Sequence, residues 1–155
     1  MIALRDFRIG DEPALRMVFH SAIHEVAIRD YTPLQVDTWA PGEYDAAAWA
    51  SRVQGLRPFV AQLDGRIAGY ADLQADGYVD HFYVAAWAGG QGVGGALMRR
   101  LLARAGELGL AALTSHVSLT AQPFFAHFGF TVIEHRVVNV RGVEMRNAAM
   151  TKALR

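Results

Sequence analysis

The sequence predicts a mixed α/β fold, and three features of the chain carry that prediction. Apolar residues alternate with a period of two from Pro58 onward, which predicts a meander of strands. A glycine cluster at residues 89–95 separates the last of these strands from a strong amphipathic helix. Two further alternating segments meet at the turn Arg141-Gly142. Because 155 residues is near the commonest size of one domain, we expect a single domain over residues 1–155.

The N-terminal third of the chain reads mainly as helix. Asp11 and Pro13 favour a helix start, and the apolar residues after them recur at three- and four-residue spacing as far as Val26. Pro33 favours the start of a short helix, and Pro41-Gly42 ends it. The predicted elements are a strand at 2–8, a helix at 11–26, a short helix at 33–39 and a helical stretch at 44–53.

The rest of the chain alternates strands, turns and helices. Asp64-Gly65 and Asp76-Gly77 are turn dipeptides between short alternating segments, and Gly109 is placed to end the long helix. The predicted elements are strands at 59–63, 67–73 and 78–84, a helix at 96–108, a strand at 110–117, a short helix at 121–127, and strands at 130–140 and 143–154.

Composition excludes several classes of function. Acidic and basic residues number 15 each, which provides no electrostatic footprint for DNA, RNA or an anionic membrane. No apolar run approaches the roughly 18 residues that a membrane span needs, so we expect a soluble, cytoplasmic protein. The chain has no cysteine, which excludes disulfides, thiolate zinc sites and a cysteine nucleophile. We identify no metal site, and a homodimer stays open.

The glycine cluster is the strongest functional signal. Glycines between a strand and a helix allow positive φ and close approach of a ligand, and the helix start offers unpaired N–H groups at the positive end of its dipole. A Walker A loop is excluded because the chain has no Gly-Lys-Ser/Thr triplet. Gly90, Gly92 and Gly95 match the dinucleotide pattern G-x-G-x-x-G. That interpretation fails on context, because the loop comes after half of the chain and the next strand carries no acidic residue for a ribose.

The loop resembles the acyl-CoA loop of the GNAT superfamily, Gln/Arg-x-x-Gly-x-Gly/Ala. Gly92 and Gly94 match it, and Gly89 departs from it where the family has Gln or Arg. The resemblance extends through His81-Phe-Tyr-Val84 before the loop and through Ser118-Leu-Thr-Ala121 to Gly129-Phe130 after it, and so covers the C-terminal half. Within the superfamily the chain resembles the bacterial YafP-like acetyltransferases, through Asp30-Tyr-Thr-Pro33, Trp39-Ala-Pro41, Thr120-Ala-Gln-Pro-Phe-Phe125 and Arg141-Gly142.

The resemblance implies a GNAT fold: a mixed, mostly antiparallel sheet of about seven strands, with helices on both faces and a splayed parallel pair at the cofactor site. It implies an enzyme that passes the acetyl group of acetyl-CoA to a primary amine of a small molecule or peptide by direct attack in a ternary complex. In the family, loop amides hold the pyrophosphate, pantetheine lies between the splayed strands, and an amide like that of Val84 stabilises the oxyanion. The implied cofactor-binding residues are Phe82, Tyr83, Val84, Gly89, Gly90, Gln91, Gly92, Val93, Gly94, Gly95, Ser118 and Phe125.

Acetyl transfer also needs a proton acceptor and a proton donor. His81 titrates near neutrality and is the first candidate for the base, with His116 on the neighbouring strand as the second. Phe125 stands where many GNAT enzymes carry a tyrosine acid, and phenylalanine cannot donate a proton. Alternation puts Tyr83 on the face that carries His81, so Tyr83 is the alternative acid.

The acceptor itself is indicated only by its expected surroundings. Aromatic side chains are dense in the irregular region where the family builds its acceptor pocket, namely Tyr31, Trp39, Tyr44 and Trp49. The alternative to an enzyme is a non-catalytic acyl-CoA-binding or sensory module, because a glycine loop can hold the cofactor without an acid or base. Turnover distinguishes the two.

Overall fold

The computed structural model describes every residue from Met1 to Arg155. Its strands are, in chain order, β1 (Ile2–Asp6), β2 (Phe59–Leu63), β3 (Arg66–Ala71), β4 (Tyr78–Val79), β5 (Phe82–Val84), β6 (Ala112–Ser118), β7 (Thr131–Val140) and β8 (Val143–Ala153). Its α-helices are α1 (Glu12–Ser21), α2 (Pro33–Trp39), α3 (Ala46–Leu56), α4 (Val93–Glu107) and α5 (Gln122–His127). None of the helices is both long and apolar enough to cross a membrane.

The strands form two four-stranded sheets. The first has the order β1-β2-β3-β5, and all its pairs are antiparallel. The second has the order β4-β6-β8-β7, in which β4 and β6 are parallel and the other pairs are antiparallel. The predicted α/β fold is confirmed, with eight strands where we expected about seven.

Helices cover both faces of the first sheet. Successive residues of a strand point to opposite faces, and along β2 each face has its own partners. Val60 is buried in one cluster with Leu15 of α1 and Val53 of α3. Ala61 is buried in another cluster with Leu97 and Leu101 of α4. The sheet is therefore the middle layer between α1 with α3 on one side and α4 on the other.

The helix predicted at 11–26 is not α-helical throughout. α1 ends at Ser21, and a π-helical turn at Ala22–Val26 and a 3₁₀ turn at Ala27–Arg29 follow it. The Ser21 hydroxyl accepts a hydrogen bond from the Ala86 amide at 2.9 Å, which ties the end of α1 to the segment after β5. The predicted apolar spacing is preserved through Ile23, but its backbone carries one wider turn.

The single strand predicted at 78–84 is wrong. β4 pairs with β6 in the second sheet, and β5 pairs with β3 in the first. The residues between them turn because the carboxylate of Asp72 accepts hydrogen bonds from the amides of Asp80 and His81, at 2.9 and 2.7 Å. These amides are thereby occupied by a side chain instead of a neighbouring strand, and the chain passes from one sheet to the other.

Candidate active site

A cavity of about 400 Å³, called here the first cavity, lies between β5, the glycine loop, the π-helical turn and α5. Every predicted cofactor-binding residue except Gln91 lines it: Phe82, Tyr83, Val84, Gly89, Gly90, Gly92, Val93, Gly94, Gly95, Ser118 and Phe125. The side chain of Gln91 donates a hydrogen bond to the Trp87 carbonyl at 3.2 Å on the exposed side of the loop. The structure thus brings together three segments that the sequence separates by up to about 40 residues.

β5 presents one free backbone edge to the first cavity. On its other edge, the Ala85 amide donates to the Ala68 carbonyl at 2.8 Å, and the His81 carbonyl accepts from the Asp72 amide at 3.1 Å. Hydrogen-bonding direction alternates along an antiparallel strand, so the N–H groups of Phe82 and Val84 point away from β3. No other strand pairs with β5, and its edge is available to a ligand.

The glycine loop supplies a run of unpaired backbone donors. None of the six successive amides from Gly90 to Gly95 donates a hydrogen bond within the protein, and the first bond of α4 runs from the Ala96 amide to the Gly92 carbonyl at 3.0 Å. Gly92 has a φ of 89°, in the left-handed region that favours glycine, and it is the residue from which α4 starts. α4 begins three residues earlier than predicted, so two of the glycines form its first turn.

A side chain at either of two cavity-facing glycines would be tightly packed. A Cβ on Gly94 would lie 3.1 Å from the ring of Phe124 and 3.8 Å from Val84. A Cβ on Gly95 would lie 3.1 Å from the guanidinium of Arg99. The guanidinium adds positive charge beside the loop amides, which strengthens the attraction for an anion at this helix start.

Sequence reasoning missed part of the cavity wall. Ile23 and Val26 of the π-helical turn line the first cavity, and so do Trp39 and Phe124. A π-helical turn has no distinct sequence pattern, because the apolar spacing around it still reads as an α-helix. Phe124 could have been predicted from the sequence as a lining residue, since it directly precedes Phe125 in the segment that carries the resemblance.

His81 is buried and uncharged at neutral pH. Its side chain is 7% exposed, and its Nδ1 lies 3.0 Å from the hydroxyl of Tyr70. The ring of Phe19 stacks on it with centroids 5.8 Å apart. Burial lowers the pKa of His81 from 6.5 to about 4, against the opposing effect of the Asp80 carboxylate. His81 is therefore a neutral imidazole at pH 7, with one donor and one acceptor nitrogen, and a weaker base than its type suggests.

Tyr83 of β5 lies beside His81, which directly precedes this strand. The two rings have centroids 5.4 Å apart, and the Phe19 ring packs edge-on against Tyr83 at 4.9 Å. Burial raises the pKa of Tyr83 above its usual value, and the side chain of Trp39 opposes that shift. The phenol consequently keeps its proton through the neutral and mildly alkaline range.

The second candidate base lies elsewhere. His116 is on the exposed side of β6, with its Nδ1 3.1 Å from the hydroxyl of Tyr78, and it lines neither of the cavities described here. Asp80 forms an ion pair with Arg52 at 2.8 Å. His81 and Tyr83 are thus the two titratable candidates that the structure brings together at β5.

A second cavity, of about 570 Å³, adjoins the first one. Trp39 lines both cavities, while His81 lines only the second and Tyr83 only the first. Of the aromatic residues expected around an acceptor, Trp39, Tyr44 and Trp49 line the second cavity. Tyr31 does not line it: its ring is buried in the core, and its hydroxyl accepts a hydrogen bond from the Leu119 amide at 3.0 Å.

These features fit the acyl-CoA group that the resemblance implies. A pyrophosphate needs several converging donors, and the loop has six unpaired amides at the start of a 15-residue helix. An extended amide chain such as pantetheine needs an unpaired strand edge, which β5 presents. Gly89 lacks the side chain that the family usually has, but the backbone donors do not depend on it.

Comparisons with known proteins agree with this geometry. A family model described as the acetyltransferase (GNAT) domain matches residues 27–152. The chain is 28% identical over 149 residues to an Escherichia coli protein described as the uncharacterized N-acetyltransferase YafP, covering 96% of this chain and 94% of that protein.

Two solved structures have the same fold. One, from Rhodopseudomonas palustris, carries the description "GCN5-Related N-acetyltransferase: Aminotransferase, Class-II"; it is 32% identical, with a TM-score of 0.93 over 98% of this chain and 95% of that one. The other is the paia N-acetyltransferase from Thermoplasma acidophilum in complex with coenzyme A, 16% identical, with a TM-score of 0.72 and 99% of each chain covered. The second likeness concerns the fold alone.

Proposed function

Because the chain belongs to the GNAT acetyltransferase family, we propose that it transfers the acetyl group of acetyl-CoA to a primary amine of a small molecule or peptide, by direct attack in a ternary complex. The family establishes an acetyl-CoA-dependent acyltransferase. The amine acceptor and the roles of individual residues are the proposal. The observation that carries it is the run of six unpaired loop amides next to the free edge of β5, beside a second cavity of suitable size for an acceptor.

The backbone of the chain would hold the cofactor. The amides from Gly90 to Gly95 would bind the pyrophosphate, and the free edge of β5 would pair with the pantetheine amides. Bound acetyl-CoA supplies an acetyl thioester, so that a bond forms from the amine nitrogen to the carbonyl carbon, the C–S bond breaks, the amine loses one proton and the sulfur gains one. Apolar walls, including Phe82 and Phe125, keep water from the thioester.

Val84 would stabilise the negative charge that develops on the acetyl oxygen. Its N–H points away from β3 toward the first cavity, and a fixed backbone donor costs no reorganisation when charge develops. Because the donor belongs to the backbone, no side-chain substitution at residue 84 removes it.

His81 would orient the amine as a neutral hydrogen-bond acceptor. In the tautomer whose Nδ1–H donates to the Tyr70 hydroxyl, Nε2 is the unprotonated ring nitrogen and can accept from the amine, and the ring lines the second cavity. Because its pKa is about 4, His81 would not retain the proton that the amine loses. The proton then passes to solvent through the second cavity.

Tyr83 would donate the proton that the sulfur requires. It lines the first cavity between Phe82 and Val84, and its raised pKa keeps the hydroxyl protonated at neutral pH. This assignment supplies the acid that Phe125 cannot supply.

A thiol-release assay with acetyl-CoA over a broad amine panel tests the proposal. The panel includes amino acids, polyamines, aminoglycosides and peptide N-termini, and the protein adds no thiol background because it has no cysteine. Amine-dependent release with a stoichiometric N-acetyl product supports the proposal. Tight CoA binding without release for any amine would instead indicate the non-catalytic binding module.

A further inference from the structure

The second cavity contains an arginine that has no ion-pair partner. Arg16 of α1 is 8% exposed and lines the cavity. Its only hydrogen bond within the protein runs from Nη2 to the Pro41 carbonyl at 2.7 Å, and no acidic side chain forms an ion pair with it. A buried, unpaired cation is costly, because desolvation is not offset by an opposite charge.

Arg5 and Arg52, by contrast, both have carboxylate partners. Arg5 binds Asp11 through two nitrogens at 2.8 and 2.9 Å, and Arg52 pairs with Asp80 at 2.8 Å. Arg16 has aromatic neighbours instead: its guanidinium carbon lies 4.2 Å from the ring centroid of Tyr44 and 5.1 Å from that of Trp49. Aromatic faces offset only part of the desolvation of a guanidinium, and burial lowers the pKa of Arg16.

A second unpaired cation faces the same cavity. Arg141, in the turn between β7 and β8, lines the cavity, is exposed and forms no ion pair. Its charge also lowers the pKa of Arg16, so the two guanidinium groups repel each other across this space. Two carboxylates line the same cavity. Asp45 caps α3 by accepting from the Ala48 amide at 3.0 Å, and Glu43 is exposed and pairs with neither arginine.

We propose that the acceptor is an amine that also carries a carboxylate, bound by Arg16 with Arg141 in support. This inference rests on the proposed acetyl transfer and names the class of substrate for the same site. A carboxylate matches the planar fork of a guanidinium, which has further donors besides the one used by Pro41. The aromatic residues around Arg16 then form the wall against which the acceptor's apolar part packs.

The geometry limits the size of the acceptor. The ring centroid of Phe19 lies 5.1 Å from the guanidinium carbon of Arg16 and 4.9 Å from the ring centroid of Tyr83. The guanidinium carbon and the Tyr83 ring centre are therefore at most about 10 Å apart. If the acceptor's carboxylate binds the Arg16 guanidinium and its amine lies near the Tyr83 ring, only a few bonds fit between the carboxylate and the amine. This spacing favours an amino acid over a long polyamine or a protein terminus.

The test compares matched acceptors in the thiol-release assay. Each amino acid is paired with its decarboxylated amine and its methyl ester, for example phenylalanine with phenethylamine and phenylalanine methyl ester, and rates are compared per neutral amine. The wild type should acetylate the preferred amino acid at least about tenfold more efficiently than its uncharged partners, as expected for a charge-assisted pair in a cavity. Equal or faster turnover of the uncharged partners overturns this inference and leaves acetyl transfer intact, whereas no turnover of any amine overturns the proposed function.

Three variants locate the effect. Arg16→Gln should lower kcat/KM for the amino acid by about a hundredfold and for the uncharged amine by less than about threefold, so that the preference is lost. Arg141→Gln, on an exposed turn, should lower the preference by about fivefold without affecting folding. Arg104→Gln is the matched control on α4; Arg104 lines neither cavity, and its substitution should change neither rate. If Arg16→Gln does not fold, the wild-type comparison and Arg141→Gln decide: equal wild-type rates overturn the inference, and so does an unchanged preference in Arg141→Gln.

Discussion

A carboxylate placed at Gly94 should weaken CoA binding without unfolding the protein. A side chain here starts 3.1 Å from the Phe124 ring and 3.8 Å from Val84, so it enters the first cavity beside the unpaired loop amides. Two unit charges 4 Å apart interact by about 1 kcal/mol in water and about 4 kcal/mol at an effective dielectric constant near 20. Gly94→Glu should therefore bind CoA at least about fivefold, and up to several hundredfold, more weakly than Gly94→Gln, which has the same shape without the charge.

Folding should survive this change. Gly94 lies in the first turn of α4, where an acidic side chain interacts favourably with the helix dipole by about 0.3 to 1 kcal/mol. Gly106 is the control, because it lies near the other end of the same helix and a Cβ there has nothing within 4 Å. Gly106→Glu should bind CoA like the wild type.

The assay is isothermal titration calorimetry with CoA, after thermal unfolding has shown that each variant is folded. A folded Gly94→Glu variant with the same CoA affinity as Gly94→Gln would refute the assignment of the pyrophosphate to the loop.

The remaining predictions concern the proton path. Tyr83→Phe should lower kcat by about a hundredfold with unchanged CoA affinity, and an unchanged kcat where chemistry is rate-limiting would remove Tyr83 from the mechanism. Phe125→Tyr should leave kcat within about tenfold of the wild type, since the acid is supplied elsewhere; a larger gain would show that the family's tyrosine position still controls the rate. Because the pKa of His81 falls from 6.5 to about 4 on folding, the unfolded state binds more protons between these values, so the free energy of unfolding decreases as the pH is lowered through this range. Lowering the pH from 7 to 4.5 should therefore reduce the free energy of unfolding by about 2 kcal/mol through His81. Urea titrations at the two pH values should show a smaller reduction in a His81→Gln variant. The pH profile of kcat/KM should have no ascending limb near neutral pH that depends on His81.

The regular elements of this fold are largely predictable from the sequence because each has its own local signal. The β2–β3 hairpin follows from two short, mainly apolar segments on either side of Asp64-Gly65, and α2 begins at Pro33, as predicted. The break between β4 and β5 has no such signal. The polar pair Asp80-His81 does not by itself end a strand, and the carboxylate that accepts its amides lies eight or nine residues away in the sequence. Local patterns cannot reveal a bond of that kind.

The candidate site divides in the same way. Its cofactor half follows from one contiguous loop and from neighbouring segments, so the resemblance was able to name eleven of the twenty residues that line the first cavity. Its acceptor half is assembled from α1, the segment before α3, and the β7–β8 turn, and no motif joins these elements. Arg16 reads in sequence as an ordinary polar position of an amphipathic helix. Only the structure shows that it is buried among aromatic rings without a carboxylate.

Asp72 connects these two halves of the site. It is fully buried, and burial raises the pKa of its carboxyl group although the amides of His81 and Asp80 and the side chain of Gln74 donate to it. A buried carboxylate contributes little to the free energy of unfolding, because its desolvation opposes the gain from its hydrogen bonds. What this one provides is geometry. By accepting the two amides between β4 and β5, it directs β4 into the second sheet, which leaves the far edge of β5 unpaired at the first cavity, and it fixes the backbone of His81 at the second. One side chain thus positions both the free edge of β5 and the imidazole that faces the second cavity. The site requires both, which explains why this costly buried carboxylate is present.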